Sequence, residues 1–184
     1  MTPDLATLAS NFRECARLAG ILVPEAAIVF EQFAAPHKPP SSLPKNKFAV
    51  YAFFWNGQCL KVGEVGQNSQ ARFTSQHYLP SSSNSNLAKS ILAHKDELGL
   101  NTLNDATVGS WIKENTERVN FILDAQFGVP VLTLLEVFLQ CAFSPCFEEF
   151  ASPRCQGCRL SEMESGVGWG RKVDYRDEAL FSRT

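Results

Sequence analysis

The sequence predicts an α+β fold in which a small three-stranded antiparallel sheet is flanked by helices. Residues 48–54 form an apolar stretch that Asn56 and Gly57 separate from a second strand pattern, residues 58–65. Asn-Gly between two such patterns is typical of a β-hairpin. Residues 118–125 alternate as a third strand, and helical spacing dominates several of the other segments.

The helices are predicted from apolar spacing and from the residues at their ends. Apolar side chains recur at helical spacing from Leu5 to Ala19, and Gly20 ends this helix. Pro24 suits the first turn of a second, shorter helix that runs to Phe33. Further helices are predicted for residues 68–78, 87–97, 107–114 and 130–142.

Length and composition limit the class of protein. The chain has 184 residues, of which 45% are hydrophobic, and it can therefore form one domain with a sizeable core. Its net charge of -2 argues against coating nucleic acid by bulk electrostatics but allows a local basic cleft. We find no apolar run close to the ~18 residues of a membrane span and no secretory signal. We therefore expect a cytoplasmic protein without membrane association, and make no prediction of its oligomeric state.

The chain divides into three predicted segments. Residues 1–46 contain the N-terminal helices and a segment with four prolines, which is either a linker or a strapped-down loop. Residues 47–150 form the main α+β domain. Residues 151–184 are rich in turn-forming residues and form a loop-dominated tail that contains cysteines.

The hairpin carries two side chains with useful chemistry, Tyr51 and Lys61. With a two-residue loop at Asn56-Gly57, Tyr51 would lie opposite Val62 and Lys61 would point to the other face. With a three-residue loop and a bulge at Gly57, Tyr51 would lie directly opposite Lys61. The second register would put an ammonium beside a phenol, which favours the phenolate of a group whose ordinary pKa is ~10.

Two further residues stand out by their positions. Arg72 falls in the first turn of the helix after the hairpin, where its guanidinium can bind an anion such as phosphate. Glu136 is the one charged residue between Asp124 and Glu148, in an otherwise apolar helix. Burying such a carboxylate is costly unless it meets a cation, so a metal ion or a pair with Lys61 or Arg72 is expected.

These residues resemble the signature of the GIY-YIG nucleases. Residues 49–51, Ala-Val-Tyr, precede Lys-Val-Gly at 61–63 by the spacing of that signature, and the expected arginine and glutamate follow at Arg72 and Glu136. Lysine replaces the second tyrosine, as in some restriction enzymes of the family, and Ala49 replaces the first glycine. The resemblance covers residues 48–147 and implies a GIY-YIG-like fold with an N-terminal helical extension.

The resemblance implies a DNA endonuclease that uses one divalent ion, Mg²⁺ or Mn²⁺. Glu136 would hold the ion, and Tyr51, assisted by Lys61, would act as general base. Arg72 would neutralise charge on the transition state. His77 is included as a catalytic candidate, although it lies five residues after Arg72 rather than the usual four.

Under the nuclease hypothesis, two glycines have structural roles and two histidines have none. Gly57 and Gly63 would shape the hairpin, and no role is predicted for His37 or His94. DNA is the expected partner rather than RNA. The alternative is a module that binds nucleic acid or a protein on the same scaffold without cleaving it.

The spacing of the cysteines raises the question of a structural metal site. Without a secretion signal, reduced thiols or a metal site are expected rather than disulfides. Four cysteines could form a structural zinc site, and Cys141 could instead belong to the core of its helix. The four are Cys141, Cys146, Cys155 and Cys158.

Overall fold

A computed structural model describes residues 4–83 and 86–147 of the chain. The predicted tail, residues 151–184, lies outside this part, as do Cys155 and Cys158. The strands are β1 (Ile28–Phe33), β2 (Lys47–Trp55), β3 (Gln58–Val65) and β4 (Glu117–Asp124). The helices are α1 (Leu5–Leu18), α2 (Gln70–Thr74), α3 (Leu87–Ala93), α4 (Val108–Asn115) and α5 (Gly128–Phe143).

The sheet is antiparallel and has four strands rather than the three predicted, in the order β1-β4-β2-β3. The additional strand is β1, in the segment that was predicted as a second helix ending at Phe33. That helix prediction is wrong, because only Glu25–Ala27 form a 3₁₀ turn before the chain extends and pairs with β4. β-branched and aromatic residues suit such a strand, and pairing with β4 outweighs local helix propensity.

Strands β2, β3 and β4 are covered on both faces, so the molecule has three layers there, whereas residues 29–32 of β1 are exposed. Helices α1 and α5 pack on one face, against side chains such as Val50 and Phe121. Helices α3 and α4 and the segment from Phe73 to Tyr78 pack on the other face, together with Tyr51 and Phe53. Because both faces of β2 are buried, its sequence is a continuous apolar run rather than an alternating one.

The hairpin has neither of the two predicted registers. Asn56 and Gly57 both have positive φ, as a two-residue type I′ turn requires, and Trp55 lies opposite Gln58. The register then shifts between Phe54 and Phe53, so that β3 contains one extra residue, Leu60. Tyr51 consequently lies opposite Gly63 rather than Val62 or Lys61, and Lys61 lies opposite Phe53 on the same face as Tyr51.

The helical predictions are partly correct. α1, α4 and α5 lie close to the predicted ranges. The helix predicted for residues 68–78 is interrupted at Ser75 and continues as a 3₁₀ turn, Gln76–Tyr78. The helix predicted for residues 87–97 ends at Ala93, with turns up to Gly99, whose φ is positive.

The proline-rich segment is tied to the main body at several points. The backbone N–H of His37 donates to the carbonyl of Lys113 at 2.8 Å. The side chain of Gln70 exchanges two hydrogen bonds with the backbone of Leu43, at 2.9 and 3.1 Å. Of the two alternatives for this segment, the strapped-down loop is therefore the one observed. α1 packs in the same hydrophobic core as the predicted main domain, residues 47–150, and β1 pairs with a strand of its sheet.

Contrary to the sequence-based expectation, one helix among the described residues is long and apolar enough to span a membrane. Residues Ala125–Phe143 have the length and mean hydropathy of a membrane span, although Glu136 interrupts them. Four residues of α5 are buried against the sheet, namely Val131, Leu132, Leu135 and Leu139. This packing is also what a core helix requires.

Replacing Phe12 by alanine tests whether α1 belongs to the central core. Phe12 is fully buried and its ring packs edge-on against Phe138 of α5, with 5.8 Å between the ring centroids. We expect Phe12→Ala to lower the free energy of unfolding by about 3–5 kcal/mol, measured by urea denaturation. Leu18→Ala, at an exposed position of the same helix, should change it by less than about 0.5 kcal/mol. Equal effects would contradict the packing described.

Candidate active site

Tyr51 lies opposite Gly63 in the hairpin, and its side chain packs closely on this glycine. The Tyr51 ring lies over Gly63, and a Cβ atom added to Gly63 would come within 2.2 Å of the phenol oxygen and 2.6 Å of Cζ. No other residue than glycine fits without moving the ring. The predicted structural role of Gly63 therefore has a specific physical basis, which is room for the phenol of Tyr51.

Arg72 lies directly on the hydroxyl of Tyr51. Its Nε donates a hydrogen bond to the phenol oxygen at 3.3 Å, from the short helix α2. Burial disfavours the charged guanidinium, but Tyr51, Glu136 and Glu64 together outweigh this and raise the pKa of Arg72 above its ordinary value. Tyr51 itself is completely buried in this arrangement. The phenol is therefore closed off from solvent in this arrangement.

Glu136 extends from α5 to the outer edge of β3. Its carboxylate accepts a hydrogen bond from the backbone N–H of Glu64 at 3.0 Å. The Glu64 carboxylate in turn accepts a hydrogen bond from the hydroxyl of Thr133, one turn away on α5, at 3.1 Å. Glu136 and Glu64 are both partly exposed, so the acid of the late apolar helix faces the sheet edge and not a dry interior.

The donor chemistry at this edge fits a hard divalent cation. Mg²⁺ prefers oxygen ligands and keeps several waters, so it needs only one or two protein carboxylates. Glu136 and Glu64 are such donors, and both are close enough to Arg72 to raise its pKa. Among the residues that the structure describes, no group of three or more His, Cys, Asp or Glu side chains forms a denser metal site.

Lys61 is almost completely buried, with 3% of its surface exposed, on the same sheet face as Tyr51. Its charge is one of those that act on His77. The predicted ammonium therefore lies on the phenol side of the sheet, although its cross-strand neighbour is Phe53 rather than Tyr51.

His77 packs against Tyr51 in the interior, with 4.3 Å between the ring centroids. Its Nδ1 accepts a hydrogen bond from the backbone N–H of Leu87 at 3.3 Å, so the ring proton is on Nε2. Burial, followed by the charges of Arg118, Lys61 and Arg72, lowers its pKa well below the usual value. His77 is therefore a neutral ring, and its lone pair is already engaged.

Sequence reasoning missed Arg118, which lies fully buried on β4 beside the ring of Tyr51. It also missed His37, which is buried and bridges the carbonyl of Thr116 and the hydroxyl of Tyr78, at 2.8 and 2.9 Å. The sequence contained a signal for Arg118, because Arg118 and Asn120 alternate with apolar residues in a segment predicted to be a strand. His94, also predicted to have no role, is exposed and contacts the ring of Phe147.

The two described cysteines of the predicted zinc set lie at the surface. Cys141 is exposed on α5, so the alternative that it belongs to the core of its helix is wrong. Cys146 is also exposed, and its backbone N–H donates to the carbonyl of Cys59 at 3.1 Å. The zinc site remains a prediction, because it depends on Cys155 and Cys158.

Comparison with protein-family models, with curated proteins and with solved structures finds no match for this chain.

Replacing Gly63 by alanine tests the contact with Tyr51. The added methyl group would overlap the phenol, so we expect the free energy of unfolding to fall by about 1–3 kcal/mol, measured by urea denaturation. Gly66→Ala is the matched control, because a Cβ there has no neighbour within 4 Å. Loss of stability in both variants to the same degree would show that the Tyr51 contact is not the cause.

Proposed function

We propose that this chain is a divalent-metal-dependent endonuclease that hydrolyses phosphodiester bonds in DNA. The observation that carries the proposal is the hydrogen bond between Arg72 and the phenol of Tyr51, close to the edge that holds Glu136. A phenol, a guanidinium and a carboxylate at one sheet edge are the groups that phosphodiester hydrolysis needs. They also occur in the chain order of the GIY-YIG nucleases, which the sequence resembles.

Tyr51 is the proposed general base. Its phenol would accept a proton from the attacking water, and nearby positive charge favours the phenolate that can do this. Lys61 would contribute to that charge from the same sheet face. Positioned acid–base groups typically contribute 10²–10⁴-fold to a rate.

Arg72 is proposed to serve both as the cover of the phenol and as the ligand of the phosphate. A guanidinium binds phosphate oxygens in a bidentate manner and more strongly than it binds a neutral hydroxyl. An incoming phosphate would therefore draw Arg72 away from Tyr51, which would expose the proposed base. The positive charge of Arg72, now bound to the phosphate, would stabilise the transition state. Substrate binding and uncovering of the base would be one event.

Glu136 is the proposed ligand of a single Mg²⁺ or Mn²⁺ ion. Such an ion would stabilise negative charge on the phosphate and on the leaving 3′ oxygen. Glu64 would orient Glu136 through its backbone N–H. His77 is better suited to holding the Tyr51 ring in place than to exchanging protons, because its lone pair accepts from Leu87.

A second candidate function is a non-catalytic module that binds nucleic acid or a protein. The complete burial of Tyr51 favours it, because a base that stays covered cannot contact water. Under this proposal Arg72 would remain on the phenol when nucleic acid binds. Binding without cleavage in both Mg²⁺ and Mn²⁺ would support the module and reject the nuclease.

Tyr51→Phe tests the proposed base. It removes one hydroxyl from a buried ring, so we expect the fold and DNA binding to persist while the rate of cleavage falls by at least about 10²-fold. Plasmid, single-stranded and branched DNA should be assayed with Mg²⁺ and with Mn²⁺. Tyr78→Phe removes a buried phenol that does not contact Arg72, and should retain cleavage. Unchanged cleavage by Tyr51→Phe would remove Tyr51 from the mechanism.

Glu136→Gln tests the proposed metal ligand. The amide keeps an oxygen that can accept from Glu64 but loses the negative charge, so we expect weaker Mn²⁺ binding by calorimetry and a loss of cleavage. Glu14→Gln, at an exposed surface ion pair of α1, is the control for loss of one carboxylate. Equal Mn²⁺ affinity in wild type and Glu136→Gln would contradict the role of Glu136.

A further inference from the structure

Arg118 is a buried cation whose charge has no direct carboxylate partner in the described chain. Its three nitrogen atoms donate to the side-chain oxygen of Asn120 at 2.9 Å, the carbonyl of Phe73 at 2.7 Å and the hydroxyl of Tyr78 at 3.3 Å. Neither the Glu14–Arg17 ion pair nor the Lys47–Asp124 ion pair includes it. The nearest compensation is indirect, because Asn120 donates to the Glu31 carboxylate at 3.1 Å.

Three aromatic rings surround the same guanidinium. Its central carbon lies 5.1 Å from the ring centroid of Phe73, 5.2 Å from that of Phe53 and 5.7 Å from that of Tyr51. The faces of aromatic rings attract cations, and the attraction is strongest where water is excluded. Even so, a buried arginine is harder to accommodate than an apolar residue of similar volume. A cation kept in such a place next to an ionisable phenol is a candidate for a functional charge.

Arg118 also connects the two elements that carry the proposed catalytic groups. Phe73, whose carbonyl it binds, directly follows Arg72 in the five-residue helix α2. Tyr51 lies on β2, next to β4 in the sheet, with Asn120 as its cross-strand neighbour. The same side chain therefore contacts the ring of Tyr51 and the helix from which Arg72 reaches the hydroxyl of Tyr51.

We propose that Arg118 is a positioning residue of the candidate site: it holds α2 against β2 and supplies a fixed positive charge that stabilises the Tyr51 phenolate. Its guanidinium is held by hydrogen bonds to Asn120, Tyr78 and the carbonyl of Phe73, so it stays in place when Arg72 moves to a phosphate. The effect on cleavage rests on the proposed nuclease function, whereas the effect on the phenol does not.

The other charged and titratable groups that face Tyr51 limit what Arg118 alone can do. Lys61 faces it from β3, Arg72 from α2, and the neutral ring of His77 from the 3₁₀ turn. Burial lowers the pKa of Arg118, and Tyr78, Tyr51 and Glu31 act in the opposite direction. Arginine nevertheless keeps its charge in proteins, so the cation is present at every pH of the experiment.

Titration of the phenol in the full-length chain tests the proposal without any substrate. The chain has three tyrosines, and the phenolate absorbance that Tyr51→Phe lacks gives the midpoint of Tyr51. Loss of the cation in Arg118→Gln should raise this midpoint by on the order of one pH unit. Arg118→Lys should restore most of the shift. Tyr78→Phe is the matched control, because it breaks one bond of Arg118 but keeps the charge, and should leave the midpoint unchanged.

The outcomes separate a charge effect from a purely structural one. A Tyr51 midpoint that is the same in Arg118→Gln and wild type would overturn the proposal, and so would equal shifts in Arg118→Gln and Tyr78→Phe. Where Arg118→Gln does not fold, the ¹⁵N resonance of Arg118 Nε in the wild-type chain is followed through the ionisation of Tyr51. We expect it to shift at the Tyr51 midpoint and not in Tyr51→Phe, and no shift in wild type would likewise overturn the proposal.

Cleavage measurements then distinguish this proposal from the nuclease proposal. If the chain cleaves DNA, the alkaline-shifted phenol of Arg118→Gln should shift the pH–rate profile by the same amount and lower kcat more than it raises KM. A shifted phenol midpoint in a chain that does not cleave DNA would support the role of Arg118 and reject the nuclease. DNA cleavage by the chain, together with an unshifted Tyr51 midpoint in Arg118→Gln, would support the nuclease and reject the role of Arg118.

Discussion

The close approach of Tyr51 to Gly63 is the constraint on which the candidate site depends. It exists because one extra residue in β3, Leu60, shifts the hairpin register so that a glycine faces the phenol. A shift of one residue in a sheet sends every following side chain to the opposite face. The bulge therefore decides that Lys61 lies on the phenol side, and that the hydroxyl of Tyr51 reaches the edge where Arg72 can bind it.

Positive charge around this phenol is arranged in two layers. Arg72 and Lys61 lie towards the outer edge of the sheet, where Glu136 and Glu64 act on the charge of Arg72. Arg118 lies deeper, held by Asn120, Tyr78 and the carbonyl of Phe73. Under the proposed function, Arg72 near the edge would move with a bound phosphate, whereas Arg118 in the interior would keep its effect on the phenol constant.

The N-terminal part of the chain contributes to this arrangement from a distance. Asn120 and Tyr78, which both accept hydrogen bonds from Arg118, are themselves held by residues that precede β2. β1 brings Glu31 to Asn120, and the proline-rich segment brings His37 to the hydroxyl of Tyr78. The double hydrogen bond between Leu43 and Gln70 ties the same segment to the start of α2. These residues are thus a part of the folded body that supports the site from the side of β1 and β4.

The sequence by itself determined the local elements and the candidate residues. The Asn-Gly turn, the strands around Tyr51 and at residues 118–125, and the apolar helix bearing Glu136 follow from turn chemistry and apolar spacing, which act over a few residues. Tertiary structure alone decided the fourth strand, the pairing of Tyr51 with Gly63 and the place of Arg118. The fourth strand and the groups that hold Arg118 depend on contacts between residues far apart in the chain, which local patterns do not specify. The bulge is local, but an Asn-Gly turn is compatible with more than one register, so packing of the sheet decides between them.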